Sequence, residues 1–286
     1  MILVVLSAAL HAIWNYLLRR ADGSNTVVAL SKVAEAVLLF PLALAVFLSS
    51  GSVPWSLFAP AVVVAAILAL ANYAALTAAY RRADLSLVYP IARGGVFLFL
   101  PLLGFIVFDE RLDAPGWLAL ALIVGGIMLL PLPAFNRSSL GAMGRHLRER
   151  FMVYALMAAA ATAAYTVWDK YAVGRLDMAL YFYGYTVLLA IWFAGMLART
   201  PRAEVREQVR KHPISIVMIG LLNAGAYMLV LIALRTEMAT QVLAVRQLSI
   251  PIGVILGWQL LGEQLTAPRV VGSALVTAGC LVAATI

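Results

Sequence analysis

Charged residues are scarce in this sequence: they make up 12% of its 286 residues, against about a quarter in an ordinary soluble domain. Apolar residues make up 64% of the chain, and the mean hydropathy is +0.97. A soluble globule of this length has too little interior to hide so much apolar surface, so a soluble fold is excluded. The same composition excludes a disordered chain, a collagen and a coiled coil.

Cysteine and histidine are also nearly absent. The single cysteine, Cys280, cannot form an intrachain disulfide, and the three histidines make no Cys/His cluster that would hold a metal. We therefore expect no metal and no cofactor. The net charge is +8, and a positive charge of this kind is common among nucleic-acid-binding proteins. In a membrane protein, however, excess Arg and Lys usually reflect which loops lie in the cytoplasm. We expect membrane lipids as partners, and no nucleic acid.

Long apolar runs, separated by short polar joints, fill the chain. A helix needs about 20 apolar residues to cross a bilayer, and a helix is the only open-chain conformation that pairs every backbone group in lipid. The sequence therefore predicts an all-α membrane protein with ten transmembrane helices, near 2–18, 27–48, 60–80, 86–107, 115–132, 151–170, 178–198, 213–234, 240–260 and 268–286.

The two halves of the chain resemble each other. A shift of 153 residues aligns Arg93 with Arg246, Glu110 with Glu263 and Pro115 with Pro268, and near the start a shift of 154 places Trp14-Asn15 on Trp168-Asp169. The alignment predicts a five-helix repeat over 1–132, a cytoplasmic linker over 133–150 and a second five-helix repeat over 151–286. Because each repeat has an odd number of spans, the second repeat enters the membrane from the opposite side. The two repeats are therefore inverted relative to each other, as in many secondary transporters.

Basic residues are distributed unevenly among the joints. Most of them follow the first, third, fifth, seventh and ninth spans, as Arg19, Arg81 and Arg202 do. Lys and Arg accumulate in cytoplasmic loops, so these joints are predicted to be cytoplasmic. Both termini are then outside the cytoplasm, in a multi-pass protein of the bacterial inner membrane.

Four charged residues fall well inside the predicted spans, namely Lys32, Glu35, Arg93 and Arg246. Each costs about 2.5–3.5 kcal/mol at the centre of a span, so such residues are functional candidates by default. Their positive excess suits an anionic group such as a carboxylate, phosphate or phosphonate, which arginine binds with a planar fork. Two structural readings stay open: the arginines clamp helices through backbone carbonyls, and Lys32 with Glu35 is a self-neutralising pair.

Polar and aromatic side chains recur on one face of the first span, where His11, Trp14 and Asn15 have helical spacing. Tyr165 and Trp168 repeat the pattern in the sixth span. An aromatic residue that also forms hydrogen bonds can wall a binding pocket, although tryptophan near a membrane interface is often an anchor. Tyr89 and Tyr227 are further pocket candidates, whereas Tyr181, Tyr183 and Tyr185 are more typical of an interfacial belt.

Two further expectations concern acidic residues. Glu35 is the acidic residue that we place well inside a span, so it is the predicted proton-coupling residue. Asp169, with Lys170, falls near the outer end of the sixth span and is expected to form a solvated pair. Glu110 and Glu263 precede helix starts in their joints and are expected to be structural.

Three segments are together familiar: Leu10-His11-Ala12-Ile13-Trp14-Asn15, Asp84-Leu85-Ser86-Leu87-Val88-Tyr89-Pro90-Ile91-Ala92-Arg93-Gly94 and Gly257-Trp258-Gln259-Leu260-Leu261-Gly262-Glu263. With the ten spans, they resemble the EamA-type branch of the drug/metabolite transporter superfamily. The resemblance implies a secondary transporter of small metabolites, often an exporter, that works by alternating access. The Tyr-Pro-x-x-Arg stretch is similar to a subgroup found beside phosphonate-utilisation genes. Residues 49–59 carry no charge, unlike the basic joint of many members, which leaves orientation open in family terms.

The sequence therefore predicts a secondary transporter, and not an enzyme, for a small anionic or zwitterionic metabolite. Proton coupling and export fit this reading, and a homodimer is left open. A flippase for a lipid-linked sugar, an intramembrane enzyme on a lipid-linked substrate and a purely structural membrane subunit are the alternatives. Against the enzyme, no catalytic constellation of His/Asp or Ser/His falls on adjacent helix faces. A purely structural subunit would leave the four intramembrane charges without a role.

Overall fold

The computed structural model describes residues 1–21, 23–83, 85–136 and 149–286, with the side chains of all of these except 85–87. Every regular element in these ranges is a helix. The helices are α1 (Ile2–Arg20), α2 (Asn25–Ser49), α3 (Trp55–Tyr80), α4 (Leu85–Gly94), α5 (Val96–Phe108), α6 (Ala114–Leu129), α7 (Arg150–Val173), α8 (Met178–Arg199), α9 (Arg202–Lys211), α10 (Pro213–Leu234), α11 (Ala239–Arg246), α12 (Ser249–Leu261) and α13 (Ala267–Thr285).

Within the described ranges, nine helical stretches are long and apolar enough to cross a membrane, and α6 is a shorter apolar helix. Two of the nine are broken spans, formed by α4 with α5 and by α11 with α12. These stretches fall on the ten predicted spans, so the prediction of an all-α membrane protein is confirmed. Of the predicted linker 133–150, residues 137–148 lie outside the described part of the chain.

Helices of the first half pack chiefly on helices of the second half. The main partners are α1 with α10, α2 with α8, α3 with α7 and α6 with α13. The alignment of the two halves pairs the first span with the sixth, the second with the seventh, and so on. If every span is replaced by its counterpart, the same four pairs of packing helices result. The core therefore lies between the two halves, where side chains such as Phe97, Leu100, Tyr181 and Leu231 are buried.

Glycine brings the backbones of α6 and α13 into direct contact. A Cβ atom on Gly126 would lie 2.5 Å from the carbonyl oxygen of Gly272, and one on Gly272 would lie 2.6 Å from the carbonyl oxygen of Gly126. No other residue fits at either position without moving a backbone. Such contacts between small residues are the usual means of close helix packing in membranes, where lipid gives helices no hydrophobic reason to associate.

Polar contacts mark the two ends of the helix bundle. At one end, which we call the α9 end, Arg19 pairs with Glu263 at 2.6 Å, and the Thr26 hydroxyl donates to Glu204 of α9 at 2.6 Å. At the other end, which we call the Met1 end, Lys170 donates to the carboxylate of Glu110. The joints predicted to be cytoplasmic are thus those of the α9 end.

At the Met1 end, the same ammonium group of Lys170 also donates to the carbonyl of Glu237 at 2.7 Å. The Glu110 carboxylate accepts from the backbone N–H of Ala239 at 3.0 Å. We call these four residues, Glu110, Lys170, Glu237 and Ala239, the Met1-end cluster. The cluster joins the start of α11 to the end of α7 and to the joint after α5, which agrees with the structural role expected of Glu110.

Candidate functional site

In both broken spans, the last turn of the first half carries an arginine. Arg93 is in the last turn of α4 and Arg246 is the last residue of α11. The unpaired carbonyl groups at a helix C-terminus carry partial negative charge, which stabilises a cation there. The breaks therefore supply a favourable site for two guanidinium groups inside a membrane domain, and discontinuous helices of this kind form the binding sites of many transporters.

The break between α4 and α5 depends on Gly95. A Cβ atom at this position would lie 2.6 Å from the carbonyl oxygen of Ile91 and 3.2 Å from the Cβ of Ala159 on α7. The glycine lets the interrupted backbone pack directly against α7. Pro90 and Pro251 both lie inside helices, within one or two turns of the breaks.

His11 of α1 lies between the two arginines. Its Nε2 is 2.7 Å from Nη2 of Arg93, and its Nδ1 is 3.2 Å from Nη2 of Arg246. The indole N–H of Trp14 also donates to Nδ1, at 3.2 Å. A neutral imidazole accepts hydrogen bonds at only one of its nitrogens, so His11 satisfies one guanidinium group at a time.

Neither arginine belongs to any ion pair in the described part of the chain. Both guanidinium groups also lie near aromatic rings, because Arg93 is 5.4 Å from the ring centre of Tyr89 and Arg246 is 5.4 Å from that of Tyr227. Arg246 is only 8% exposed, and its Nε is buried without a hydrogen-bond partner. Two guanidinium groups thus meet at one imidazole, and no carboxylate of the described residues pairs with either of them.

These groups line a cavity of about 310 Å³. Its wall comes from α1, α2, α3, α4, α7, α8, α10 and α11, with Val96 from the start of α5. Nine of the residues that the sequence singled out as candidates line this one cavity, namely His11, Trp14, Asn15, Lys32, Tyr89, Arg93, Tyr165, Tyr227 and Arg246. Further polar or aromatic lining residues are Asn72, Tyr73, Tyr80, Thr162, Asp169, Phe182, Tyr185 and Asn223.

The cavity extends toward the α9 end of the bundle. Tyr80, which lines it, is the last residue of α3 and is 38% exposed. In the opposite direction the lining stops at Asp169 and Phe182. The Met1-end cluster lies beyond Asp169, since Lys170 is the next residue of α7 and its side chain is only 17% exposed. The cavity lining therefore stops short of the Met1-end cluster.

Two predicted site residues do not line this cavity. The indole N–H of Trp168 donates to the carbonyl of Ala61 at 2.9 Å, and its ring stacks on Tyr171. Trp168 therefore ties α7 to α3. Glu35 is 1% exposed and accepts from Lys32 at 2.9 Å and from Asn223 at 3.0 Å. It lies behind two residues that do line the cavity, and its Oε1 has no hydrogen-bond partner.

The expectation of a solvated Asp169–Lys170 pair is wrong. Asp169 is 2% exposed, lines the cavity, and accepts hydrogen bonds from the hydroxyl groups of Tyr181, at 2.6 Å, and Tyr227. Lys170 points to the Met1-end cluster instead. Adjacent residues of a helix face in different directions, which separates the two charges. Glu35 is therefore not the only acidic residue inside the bundle.

The alignment of the two halves could have indicated that Asp169 lies at the cavity. It places Asp169 on Asn15, and both side chains line the cavity. Two of the three tyrosines that suggested an interfacial belt are inside the bundle: Tyr181 is fully buried and Tyr185 is 7% exposed, whereas Tyr183 is only partly buried. Their period along α8 fits either environment, so the choice between belt and core depends on contacts with α7 and α10. No group of three or more His, Cys, Asp or Glu side chains suited to a metal occurs in the described ranges.

The fold and the apolar helices define an integral membrane protein. Residues 150–285 match the model of the EamA-like transporter family, and this EamA-like match confirms the resemblance stated from the sequence. A solved structure described only as "Crystal structure of protein" is similar to 99% of this chain over 96% of its own, with a TM-score of 0.72 and 14% identity. That identity shows a shared fold alone. The comparison with curated proteins gives no match.

Proposed function

We propose that the protein is a secondary transporter of a small anionic or zwitterionic metabolite. One observation carries the proposal: Arg93 and Arg246 meet at His11 on the wall of a cavity inside the bundle, and neither has a carboxylate partner in the described chain. The EamA-like match points to a membrane transporter and away from an enzyme.

The charge of the cavity favours an anionic group. Lys32 is neutralised by Glu35 at hydrogen-bond distance, which leaves the two arginines and Asp169. The ionised groups around the cavity thus sum to a positive excess. A guanidinium group presents parallel N–H donors that match a carboxylate or phosphate oxygen pair, and these interactions are stronger where water is excluded.

The size of the cavity limits the substrate. Ligand pockets usually measure about 300–1,000 Å³, so a cavity of about 310 Å³ lies at the lower limit. A metabolite of a few to about a dozen heavy atoms fits this space better than a drug-sized molecule. A lipid-linked sugar would need a larger opening toward the bilayer, so the flippase is the weaker alternative.

Alternating access between inverted repeats is the mechanism that we propose. Two observations support it: the packing partners are unchanged when the halves are exchanged, and the cavity extends to one end of the bundle. With the basic joints in the cytoplasm, the α9 end faces inward, both termini lie outside, and the structure is an inward-facing state. Export across a bacterial inner membrane is the direction we propose, on the family resemblance alone.

Ligand-dependent thermal stability of the purified protein tests the proposal, because a ligand that binds only the folded state raises the unfolding midpoint. The probes are propanoate, butanoate, inorganic phosphate, methylphosphonate and β-alanine. We expect at least one anionic or zwitterionic probe to stabilise the wild type and to lose this effect in Arg93→Gln and Arg246→Gln. Arg235→Gln, a change at an exposed residue outside the cavity, is the control. Equal stabilisation of all four proteins would overturn the proposal.

A further inference from the structure

We infer that Asp169, held by Tyr181 and Tyr227, is a cation-binding subsite, and that the substrate carries a primary ammonium group beside its anionic group. This inference rests on the proposed function, since it concerns the same cavity. It narrows the substrate from anionic metabolites in general to small zwitterions.

The two tyrosines orient Asp169 without neutralising it. Tyr181 donates to Oδ1 at 2.6 Å and Tyr227 donates to Oδ2. A carboxylate offers about four lone-pair positions, so each oxygen keeps one for a further donor. No Lys, Arg or His in the described part of the chain forms an ion pair with Asp169. A buried carboxylate is costly unless it is paired, and a substrate ammonium group would provide the missing cation.

Tyr227 separates Asp169 from Arg246. Its hydroxyl group binds the Asp169 carboxylate, while its ring lies under the Arg246 guanidinium group at 5.4 Å. The Asp169 carboxylate and the Arg246 guanidinium group therefore both contact the Tyr227 side chain without forming an ion pair with each other. Lys32 and Glu35 contrast with them, because direct contact at 2.9 Å neutralises that pair. Separated opposite charges on one cavity wall match a ligand that carries both.

Aromatic rings surround the acidic end of the cavity. Phe182, Tyr185 and Tyr165 have ring centres 6.0, 6.4 and 6.5 Å from that of Tyr227, and all three line the cavity. Aromatic faces attract cations, more strongly where the cation is desolvated. An ammonium group at Asp169 would thus meet a carboxylate and ring faces together, whereas a second anionic group there would meet repulsion.

A purely structural role for Asp169 gives a different expectation. Through Tyr181 and Tyr227 the carboxylate ties α7 to α8 and α10, and such a tie would stabilise the fold without any preference among ligands. Comparison of matched probes separates the two roles. We would measure apparent Kd values by thermal-shift titration for alanine, β-alanine and 4-aminobutanoate, each against propanoate or butanoate of the same carbon chain.

For the wild type we expect at least one zwitterion to bind about tenfold or more tightly than its matched acid, as one added charge-assisted hydrogen bond implies. If the acids bind as tightly as all three zwitterions, the inference fails and the proposed function stands. If neither zwitterions nor acids bind, the inference fails, and the proposed function fails with it when phosphate and methylphosphonate give no stabilisation either. The wild-type comparison decides even where a variant does not fold.

The variant Asp169→Asn assigns the preference to this side chain. We expect the zwitterion to lose its advantage over the acid, while the acid binds at least as tightly as to wild type because a negative charge has been removed. Asp177→Asn is the matched control, since Asp177 is exposed and only caps α8, a role that asparagine also fills. An unchanged zwitterion preference in Asp169→Asn would overturn the assignment.

Discussion

The guanidinium groups of Arg93 and Arg246 contact opposite ring nitrogens of His11, although the two arginines are 153 positions apart in the sequence. Each lies in the last turn of the first half of a broken span. The negative end of each half-helix offsets part of the cost of placing a cation there. The two breaks and the shared imidazole thus bring two like charges together at one point of the cavity, where an anion that binds both would relieve their repulsion.

The geometry of the Arg93 side chain, and not only its charge, is expected to matter for binding. Arg93→Lys keeps the charge but replaces a planar fork with a single ammonium group. Loss of one charge-assisted hydrogen bond, about 1.5–3 kcal/mol, raises an apparent Kd by about tenfold or more. We expect this rise for the probe that binds best in thermal-shift titration, and no rise in the exposed-site control Arg235→Lys. Equal affinity in Arg93→Lys would show that charge alone suffices.

The close contact between α6 and α13 predicts a strong dependence of stability on one glycine. Leucine at Gly126 would place atoms where the backbone of Gly272 lies, and overpacking of this kind costs about 1–3 kcal/mol or more. Gly126→Leu should therefore lower the midpoint of thermal unfolding in detergent. The neighbouring Gly125 is the matched control, because a Cβ there meets nothing within 4 Å. A similar loss of stability in Gly125→Leu would point to helix propensity instead of contact.

Two ion pairs of the same chemistry should differ in their effect on stability. Glu110, 7% exposed, binds Lys170 in the Met1-end cluster, whereas Glu207 binds Lys211 on the surface of α9 with both side chains 51% exposed. Breaking a buried pair leaves an uncompensated charge and costs about 3–5 kcal/mol, whereas an exposed pair contributes about 0–1 kcal/mol. Glu110→Gln should thus lower the unfolding midpoint much more than Glu207→Gln. Equal effects would mean that the cluster is not structural.

The membrane orientation is open to a direct test. A reporter that is active only outside the cytoplasm should be active when fused after Ile286 and silent when inserted between Arg202 and Arg210 of α9. Both positions follow from the excess of basic residues in the joints at the α9 end. The reverse pattern would make the cavity face outward, and it would also reverse the direction in which the substrate enters it.

Much of the fold and part of the site were predictable because bilayers impose a simple rule on sequence. Apolar runs long enough to cross the membrane gave the spans, and an intramembrane cation such as Arg93 stood out against them. Asp169 did not stand out, because it falls near the end of an apolar run, where charges are common. Its burial depends on Tyr181 and Tyr227 from two other helices.

Contacts between distant segments explain the other differences. Trp168 has the same local pattern as Trp14, yet its indole donates to Ala61 on α3 while that of Trp14 donates to His11. Local spacing fixes which face of a helix a side chain occupies, but the neighbouring helix decides whether that face meets a cavity or another backbone. The separation of Glu35 from the cavity wall by Lys32 and Asn223 has the same origin.

We propose that Glu35 couples transport to protons. Its carboxylate is buried, and one oxygen accepts from both Lys32 and Asn223 while the other has no partner. Lys32 and Asn223 line the cavity, so a change in the cavity during transport would change the partners of Glu35 and hence its affinity for a proton. The carboxylate would then take up a proton on one side and release it on the other.

Glu35→Gln should have a specific effect in proteoliposomes. With radiolabelled β-alanine or propanoate, whichever binds in the thermal-shift assay, we expect loss of accumulation driven by a pH gradient while binding and passive exchange persist. If the variant does not fold, the pair is structural, since removal of one partner of a buried pair costs about 3–5 kcal/mol. The double variant Lys32→Met with Glu35→Gln removes both charges and should restore folding without restoring coupling. Uphill transport by Glu35→Gln with an unchanged pH dependence would contradict the proposal and leave Asp169 as the carboxylate to test next.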